Sequence, residues 1–155
     1  MRASVCARLA VVLAAISVSA AAATGPQREL TGIPLIRNYP IDWTGGSGET
    51  LLRDHRGLLY LGTSGQEIQQ YDGSTWRGIW TTMGAVFALA MDDQGKIWAA
   101  GNGDFGYLEP DSTGALKYVS LKERVPPEHR TVGNVFQIAF TPQGTFFLSR
   151  EQLFR

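Results

Sequence analysis

The chain has 155 residues with 14 basic and 14 acidic side chains, so its formal net charge at neutral pH is zero. The charges are scattered without a basic cluster, which argues against a protein that follows nucleic acid phosphates. The 18 glycines are a larger share than an average globular domain contains, and they predict many tight turns.

The first residues have the order of a secretory signal peptide. A charged start, an apolar run and a group of small residues follow one another at 2–8, 9–18 and 20–23. We expect a signal peptide over 1–23, cleavage between Ala23 and Thr24, and export of the mature chain. The apolar run of about ten residues is short for a membrane helix, which needs roughly 20, and an uncleaved anchor is the alternative. Cys6 would be removed with the peptide, which leaves no cysteine.

Residues 24–48 form an N-terminal segment ahead of a repeated pattern. An apolar strand, a tight turn ending in glycine and a second apolar strand occur three times, at 49–63, 86–101 and 135–149. Alignment of the copies brings Gly57, Gly95 and Gly144 into register. Repetition at roughly 40 to 50 residues marks stacked units that cannot bury their apolar faces alone.

The turn inside each copy has a shared chemistry. Asp54, Asp92 and Thr141 place a side-chain oxygen at the first position, where it can accept a hydrogen bond from a backbone amide of the turn. Glycine follows three residues later, where φ is often positive. In the third copy Pro142 occupies the second position, where its fixed φ suits a type I turn. We therefore expect one hairpin geometry in all three copies.

Further strands complete the units. In the first unit the pair Asp72-Gly73 is a strong signal for a turn between two short strands. In the second unit we expect strands at 105–109 and 115–119. The continuously apolar stretch at 86–91 predicts a strand that is covered on both faces.

Four-stranded antiparallel sheets of about 40 residues are the blades of an all-β propeller. We place blades at 49–80 and 85–120 and a truncated blade at 133–155, about two and a half blades of an incomplete ring. Because propellers need about four to eight blades to close, we expect the chain to be the N-terminal piece of a longer protein. Residues 32–39 are a candidate strand to close the ring against the last blade.

The blade sequences carry a family resemblance. The YDG of residues 71–73 is followed by Trp76, and residues 89–121 contain GDFGYL at 103–108 as their most specific part. Together these residues resemble the two-component regulator propeller repeat, over roughly 32–155. The resemblance implies the extracytoplasmic sensor region of a bacterial histidine kinase, diguanylate cyclase or related regulator. In such proteins an immunoglobulin-like linker, a membrane helix and a cytoplasmic output region usually follow the propeller.

The resemblance therefore implies a periplasmic ligand sensor that is not itself an enzyme and needs no cofactor. By analogy with the family we expect a small ligand derived from a glycan, membrane contact only through a C-terminal region, and a dimer at full length. Two alternatives stay open: the start of an exported propeller enzyme of the lyase or quinone-dependent dehydrogenase type, and a secreted binding module.

Residues 101–106 match the pattern Gly-x-Gly-x-x-Gly after a predicted strand, as in dinucleotide-binding proteins. That site needs a helix whose N-terminus faces the pyrophosphate, and here Pro110 and Gly114 break any helix within two turns. We interpret the glycines as a turn or bulge between two blade strands.

No catalytic, cofactor-binding or metal-binding residue is predicted. His55 lies in a hairpin turn and His129 in a charged loop, where solvated side chains are favoured. The pair Asp92-Asp93 lacks the alternating oxygen ligands of a calcium loop. Ser47 lacks the G-x-S-x-G frame of a hydrolase nucleophile.

Aromatic residues and one long loop are the remaining candidates for binding. Trp76 and Trp98 occupy strand positions fixed by the repeat and are interpreted as core, while Trp43 and Trp80 stay open to core packing or ligand stacking. The charged loop at 120–133 is an insertion relative to the first unit, and such insertions often bind ligands; a solvated connector is the alternative. We expect its deletion to spare folding and, if it binds a ligand, to weaken signalling.

Overall fold

The computed structural model describes residues 38–39 and 46–155, and Tyr39–Arg155 form one compact unit. The predicted signal peptide, its cleavage site at Ala23 and Thr24, and most of the 24–48 segment lie outside the described residues. The strands are β1 (Gly48–Arg53), β2 (Leu59–Thr63), β3 (Glu67–Tyr71), β4 (Trp76–Trp80), β5 (Val86–Met91), β6 (Ile97–Gly101), β7 (Phe105–Pro110), β8 (Leu116–Ser120), β9 (Val135–Thr141), β10 (Gly144–Ser149) and β11 (Leu153–Phe154). Short 3-10 helices at Lys122–Arg124 and Pro127–His129 lie between β8 and β9, and no α-helix occurs in the described ranges.

The strands pair with their neighbours in the chain to give three antiparallel sheets. Sheet 1 contains β1 to β4, sheet 2 contains β5 to β8, and sheet 3 contains β9 to β11. The all-β class and the four-stranded first and second units are confirmed. The short strand β11 pairs with β10, where the sequence predicts the third strand of the third unit.

Adjacent sheets pack face to face through two apolar clusters. Tyr60 and Ile68 are completely buried between sheets 1 and 2, and Phe105 and Phe147 are buried between sheets 2 and 3. The first strands are neighbours, because β1 contacts β5 and β5 contacts β9. Sheet 2 is therefore covered on both faces, as predicted for its first strand, in which every side chain is buried or half-buried.

The first two hairpins use the predicted aspartate chemistry. Met91 pairs with Ile97 across a loop of five residues, and Oδ1 of Asp92 accepts hydrogen bonds from two backbone amides of that loop at 3.0 and 2.9 Å. Gly95 has a φ of 80°, a conformation that glycine adopts without a steric penalty. The loop after β1 repeats this arrangement around Asp54, whose Oδ1 accepts from two backbone amides at 2.9 Å.

The expectation of one hairpin geometry is wrong for the third copy. Thr141 pairs directly with Gly144, so the loop between β9 and β10 has two residues, Pro142 and Gln143. A loop with an even number of residues shifts the second strand by one position relative to the five-residue loops. Because side chains alternate between the faces of a sheet, this shift moves every residue of β10 to the opposite face.

The shift decides which aromatic ring enters the core. Tyr60 and Trp98 each pair with the residue that lies two positions before the turn aspartate. In the third hairpin the residue at that place is Ala139, and it pairs with Phe146. Phe147, which an alignment on the turn glycines would match with Tyr60 and Trp98, instead faces sheet 2 and is 2% exposed. Phe146 faces away from sheet 2.

Candidate ligand-binding groove

A groove opens between the inserted loop at 120–133 and the end of sheet 3, and we call it the loop groove. Its volume of about 650 Å³ lies in the range of small-molecule sites. It is lined by Phe105, Leu121, Arg124, Val125, Pro126, His129, Phe147, Gln152, Leu153, Phe154 and Arg155. The loop that the sequence singled out as a candidate for binding is therefore one wall of this groove.

The base of the loop groove is aromatic and rigid. Phe105 of β7 stacks on Phe147 of β10 with ring centroids 4.5 Å apart, and its centroid lies 5.1 Å from that of Phe154 in β11. Phe105 and Phe147 are buried, so they fix the base, while half-buried Phe154 provides accessible apolar surface. A flat apolar body can pack on such a surface.

The loop wall is held together by one arginine. Nε of Arg130 donates to the backbone oxygen of Val125 at 2.8 Å, and its Nη2 donates to the backbone oxygen of Glu123 at 2.9 Å. The same guanidinium forms an ion pair with the Glu123 carboxylate at 3.0 Å. Val125 and Val132 are buried in the cluster between sheets 2 and 3. The loop is thus a folded wall with its own core residues.

The polar part of the loop groove is cationic. Its polar lining residues are Arg124, His129, Gln152 and Arg155, with no acidic side chain among them. The loop carboxylate of Glu123 is already paired with Arg130. Guanidinium groups at the rim of an apolar groove favour a ligand that joins an anionic group to an apolar surface, because charge-assisted hydrogen bonds to carboxylate are strong.

The Gly-x-Gly-x-x-Gly segment at 101–106 is a packing motif. A Cβ at Gly101 would collide with the backbone oxygen of Ala85, and one at Gly106 would collide with the backbone oxygen of Val119. The segment runs directly into β7, so a strand follows the glycines where a dinucleotide site needs a helix. The interpretation of these glycines as a connection between two strands is confirmed.

Asp104, inside this segment, is a positioning residue that sequence reasoning missed. It is 2% exposed, and its Oδ1 accepts from the hydroxyl of Ser120 at 2.8 Å and from the backbone amide of Phe105 at 2.7 Å. Thr82 donates to its Oδ2. These bonds hold the first residue of β7, which is the central ring of the groove base. An aspartate between glycines at the start of an apolar strand was the available signal.

The hydroxyl of Tyr118 lies buried near Asp104 and has no hydrogen-bond partner among the described residues. Burial, and after it the negative charge of Asp104, raise the pKa of Tyr118 well above its ordinary value. Tyr118 is therefore a neutral phenol at physiological pH, and it packs on the side of β8 that faces sheet 1.

The remaining candidate side chains lie elsewhere. His55 is exposed and lines a second cavity of about 420 Å³, in which Asp54 and Arg56 already form an ion pair at 3.0 Å. Asp92 is occupied by its turn, and the hydroxyl of Ser47 donates to a neighbouring carboxylate at 2.8 Å. Among the described residues no group of three or more His, Cys, Asp or Glu side chains could hold a metal ion.

The tryptophans divide between core and surface. Trp98 packs against the cluster between sheets 2 and 3, which confirms its prediction as a core residue. Trp76 is half-buried, stacks on Tyr71 with centroids 4.6 Å apart and belongs to neither apolar cluster, so its prediction as a core residue is not confirmed. Trp80 is 70% exposed on the face of sheet 1 that points away from sheet 2. Trp43 lies outside the described residues.

Comparison with known proteins adds nothing to this geometry. No protein-family model, no curated protein and no solved structure matches the chain. Across residues 46–155 and the pair at 38–39, no helix is long and apolar enough to span a membrane. The function of the chain must therefore be inferred from its sheets and its groove.

Proposed function

We propose that the three sheets are consecutive blades of a β-propeller, and that this propeller is a non-catalytic ligand sensor of a bacterial signalling protein, exported to the periplasm. Face-to-face packing of antiparallel sheets with their first strands side by side supports the assignment as blades. The resemblance of residues 89–121 to the propeller repeat of two-component regulators supports the sensory role. The signal-peptide pattern at 1–23 supports export.

The loop groove is the observation that carries this proposal. It combines the inserted loop, an aromatic base and a cationic rim in a volume of about 650 Å³. The bound ligand is a small molecule with a carboxylate or similar anion next to an apolar face. A fragment of an acidic glycan has this chemistry, because the C–H face of a sugar ring packs on apolar side chains and its uronate group pairs with arginine.

Binding fits the groove better than catalysis does. His129 is the one imidazole among the lining residues of the groove, and that lining offers no acidic side chain or second imidazole to orient it. The second cavity is occupied by its own ion pair and by the hydrogen bond from Gln70 to the Tyr60 hydroxyl at 2.8 Å. A rigid cationic groove on stacked sheets is suited to recognition of a ligand.

The test is calorimetric titration of the purified chain with trigalacturonate and with its neutral methyl ester. We expect the acid to bind and the ester to bind at least tenfold more weakly. Arg124→Gln should weaken binding of the acid about tenfold, since one charge-assisted hydrogen bond contributes about 1.4 kcal/mol or more. Arg77→Gln, at an exposed arginine of β4 outside the groove, is the matched control and should bind like wild type. Equal binding of acid and ester, or no effect of Arg124→Gln, contradicts the proposal.

Point variants are better probes of the loop than its deletion. Val125 is 8% exposed and belongs to the cluster between sheets 2 and 3, so removal of residues 122–130 would open that cluster. Loss of signalling in such a deletion would not separate binding from folding. Arg124, which is exposed, can be changed without loss of a core contact.

A further inference from the structure

The second cavity lies between sheets 1 and 2, at the end where their first hairpin loops meet. Its volume of about 420 Å³ is in the range of small-molecule sites. All of its lining residues lie between Asp54 and Leu116, within the two sheets that have four strands each. The cavity is therefore formed entirely by sheets 1 and 2 and their turns.

The interior of the second cavity is apolar. Ile97 and Leu108 of sheet 2 line one side and are 5% and 4% exposed. Met91 and Leu116, which are half-buried, extend the same wall. Tyr60 of sheet 1 lines the opposite side and is completely buried. Because burial of an unpaired charge is costly, such an interior favours an uncharged guest.

The polar groups on the sheet 1 side are paired with one another. The Asp54 carboxylate and the Arg56 guanidinium form an ion pair at 3.0 Å. The hydroxyl of Tyr60 accepts from Nε2 of Gln70 at 2.8 Å and donates to Oδ2 of Asp54 at 3.3 Å. These bonds satisfy the wall of sheet 1 and leave the apolar space between the sheets open.

The charged residues on the sheet 2 side are also engaged. Glu109 forms an ion pair with Lys117 at 3.1 Å. The ammonium group of Lys96 lies 4.4 Å from the ring centroid of Tyr107. A charged guest would therefore compete with contacts that the protein already makes.

Two exposed side chains stand at the mouth of the second cavity. His55 comes from the first hairpin loop of sheet 1, and Gln94 comes from the first hairpin loop of sheet 2. An imidazole and an amide each supply hydrogen-bonding atoms. The mouth is therefore suited to hold one polar atom of a guest whose body lies in the apolar interior.

The interface between sheets 2 and 3 has larger aromatic rings at the equivalent positions. Trp98 occupies the ladder position of Tyr60. Phe140 directly precedes its turn, as Met91 does in the second hairpin, and its ring centroid lies 6.4 Å from that of Trp98. The first interface thus has a phenol and a flexible thioether where the second has an indole and a phenyl ring.

We propose that the second cavity binds a small uncharged aromatic molecule, such as an indole or a phenol, whose ring packs between Tyr60 and Met91. Aromatic rings pair favourably with one another, and a thioether makes favourable contacts with a ring. The N–H or O–H of the guest is held at the mouth by His55 or Gln94. This site goes beyond the proposed sensing of an acidic ligand, because the second cavity and the loop groove share no lining residue.

The first test is titration of the ¹⁵N-labelled full chain with indole, followed by the amide resonances. We expect saturable shifts with a dissociation constant of about 1 mM or tighter. The largest shifts should lie in the hairpin loop at 92–97 and next to Tyr60. An absence of saturable shifts, or largest shifts in the loop at 120–133, overturns the proposal.

Tyr60→Trp tests the location by filling the cavity with the residue that the second interface uses. Nε1 of Trp98 donates to the turn carboxylate of Asp92 at 2.9 Å, so an indole at residue 60 should keep the bond to Asp54. Indole binding should weaken about tenfold or more. Tyr71→Trp is the matched control, because Tyr71 lies on the face of sheet 1 that points away from sheet 2, and it should bind indole like wild type.

Met91→Phe is a second variant that fills the cavity, and it replaces Tyr60→Trp if the latter does not fold. It introduces the ring that Phe140 has at the equivalent position, and it should also weaken indole binding. Thermal unfolding must be cooperative in every variant. Trigalacturonate should bind equally to all of them, so failure of this site and failure of the loop groove are distinguishable. Wild-type affinity for indole in folded Tyr60→Trp or Met91→Phe, or its loss in Tyr71→Trp, overturns the proposal.

Discussion

Nε1 of Trp98 donates a hydrogen bond of 2.9 Å to Oδ2 of Asp92, while Oδ1 of the same carboxylate accepts from the backbone amides of the turn. One side chain therefore fixes the hairpin loop and orients a core ring. The first hairpin has the same relationship, since the hydroxyl of Tyr60 donates to Oδ2 of Asp54 at 3.3 Å.

The third hairpin lacks both partners of this bond. Its first turn residue is Thr141, whose single side-chain oxygen accepts from the amide of Gln143 at 3.2 Å. The ring at the equivalent strand position is Phe146, which has no polar hydrogen to donate. An unpaired donor or acceptor in a core costs about 1 to 3 kcal/mol. This cost is a physical reason why the turn aspartate and the aromatic donor occur together in the first two hairpins and are both absent from the third.

Trp98→Phe should destabilise the chain by about 1 to 2 kcal/mol, because it removes a hydrogen bond to a charged group and leaves Oδ2 of Asp92 without that donor. The measurement is urea unfolding followed by circular dichroism. Trp80→Phe is the control: its indole is 70% exposed, and we expect a change within about 0.5 kcal/mol. Equal losses in the two variants would contradict a structural role for the bond.

Stability should fall in acid through Asp54 and Asp92. Burial by itself would raise the pKa of Asp54, but hydrogen bonds from Arg56 and Leu58 outweigh it and lower the pKa below 3.8. For Asp92, burial is likewise outweighed, by the bond from Trp98 and by backbone amides. Because the folded pKa lies below the unfolded value, this stability is present above about pH 4 and is lost as pH falls through the folded pKa.

Urea unfolding at a series of pH values tests the acid dependence. Asp54→Asn and Asp92→Asn should each be less stable at neutral pH, and each should lose less stability between about pH 5 and pH 2 than wild type does. Asp93→Asn is the control, since the Asp93 side chain is exposed and accepts no hydrogen bond in the described structure. A wild-type acid dependence in both Asp54→Asn and Asp92→Asn would contradict the assignment.

Phe147→Ala should cost more stability than Phe146→Ala. Phe147 is 2% exposed and stacks on Phe105, so its truncation should cost about 3 to 5 kcal/mol. Phe146 is half-buried on the face of sheet 3 that points away from sheet 2, and we expect a loss nearer 1 to 2 kcal/mol. Thermal unfolding of the two variants gives the comparison. The reverse order would show that β10 has the register expected from the glycine alignment.

Gly106→Ala should destabilise the chain severely, by about 4 kcal/mol or more, because its Cβ would meet the backbone oxygen of Val119. Backbone cannot move aside without breaking the pairing of β7 with β8. Gly114→Asn is the comparison: Gly114 has a φ of 85° with open space around it, and asparagine tolerates that conformation. Expression and thermal unfolding of both variants decide between a packing role and a loop role for the motif.

Much of the fold could be predicted from the sequence, because it depends on local patterns. Short apolar stretches, the Asp72-Gly73 pair and the aspartates of the first two hairpins predict strands and turns from neighbouring residues alone. The repeated pattern predicted that four such strands form one unit. The position of Trp98 in the core followed from the repeat. The expectation that no helix follows the glycines of 101–106 came from Pro110 and Gly114, which would break it.

Other properties depend on contacts between residues that are far apart in the chain, and only the tertiary structure decided them. The amino-acid sequence of the third turn matches the pattern of the first two turns. Because Thr141 nevertheless pairs directly with Gly144, Phe147 lies in the core and Phe146 lies on the opposite face of the sheet. Asp104 is a positioning residue because the hydroxyls of Thr82 and Ser120, which are distant from it in the chain, donate hydrogen bonds to its carboxylate. The sequence by itself determined the strands, the first two hairpin turns and the repetition of the units, since these arise from local backbone preferences. The faces that each strand buries and the loop groove arise from register and packing, which no single segment specifies.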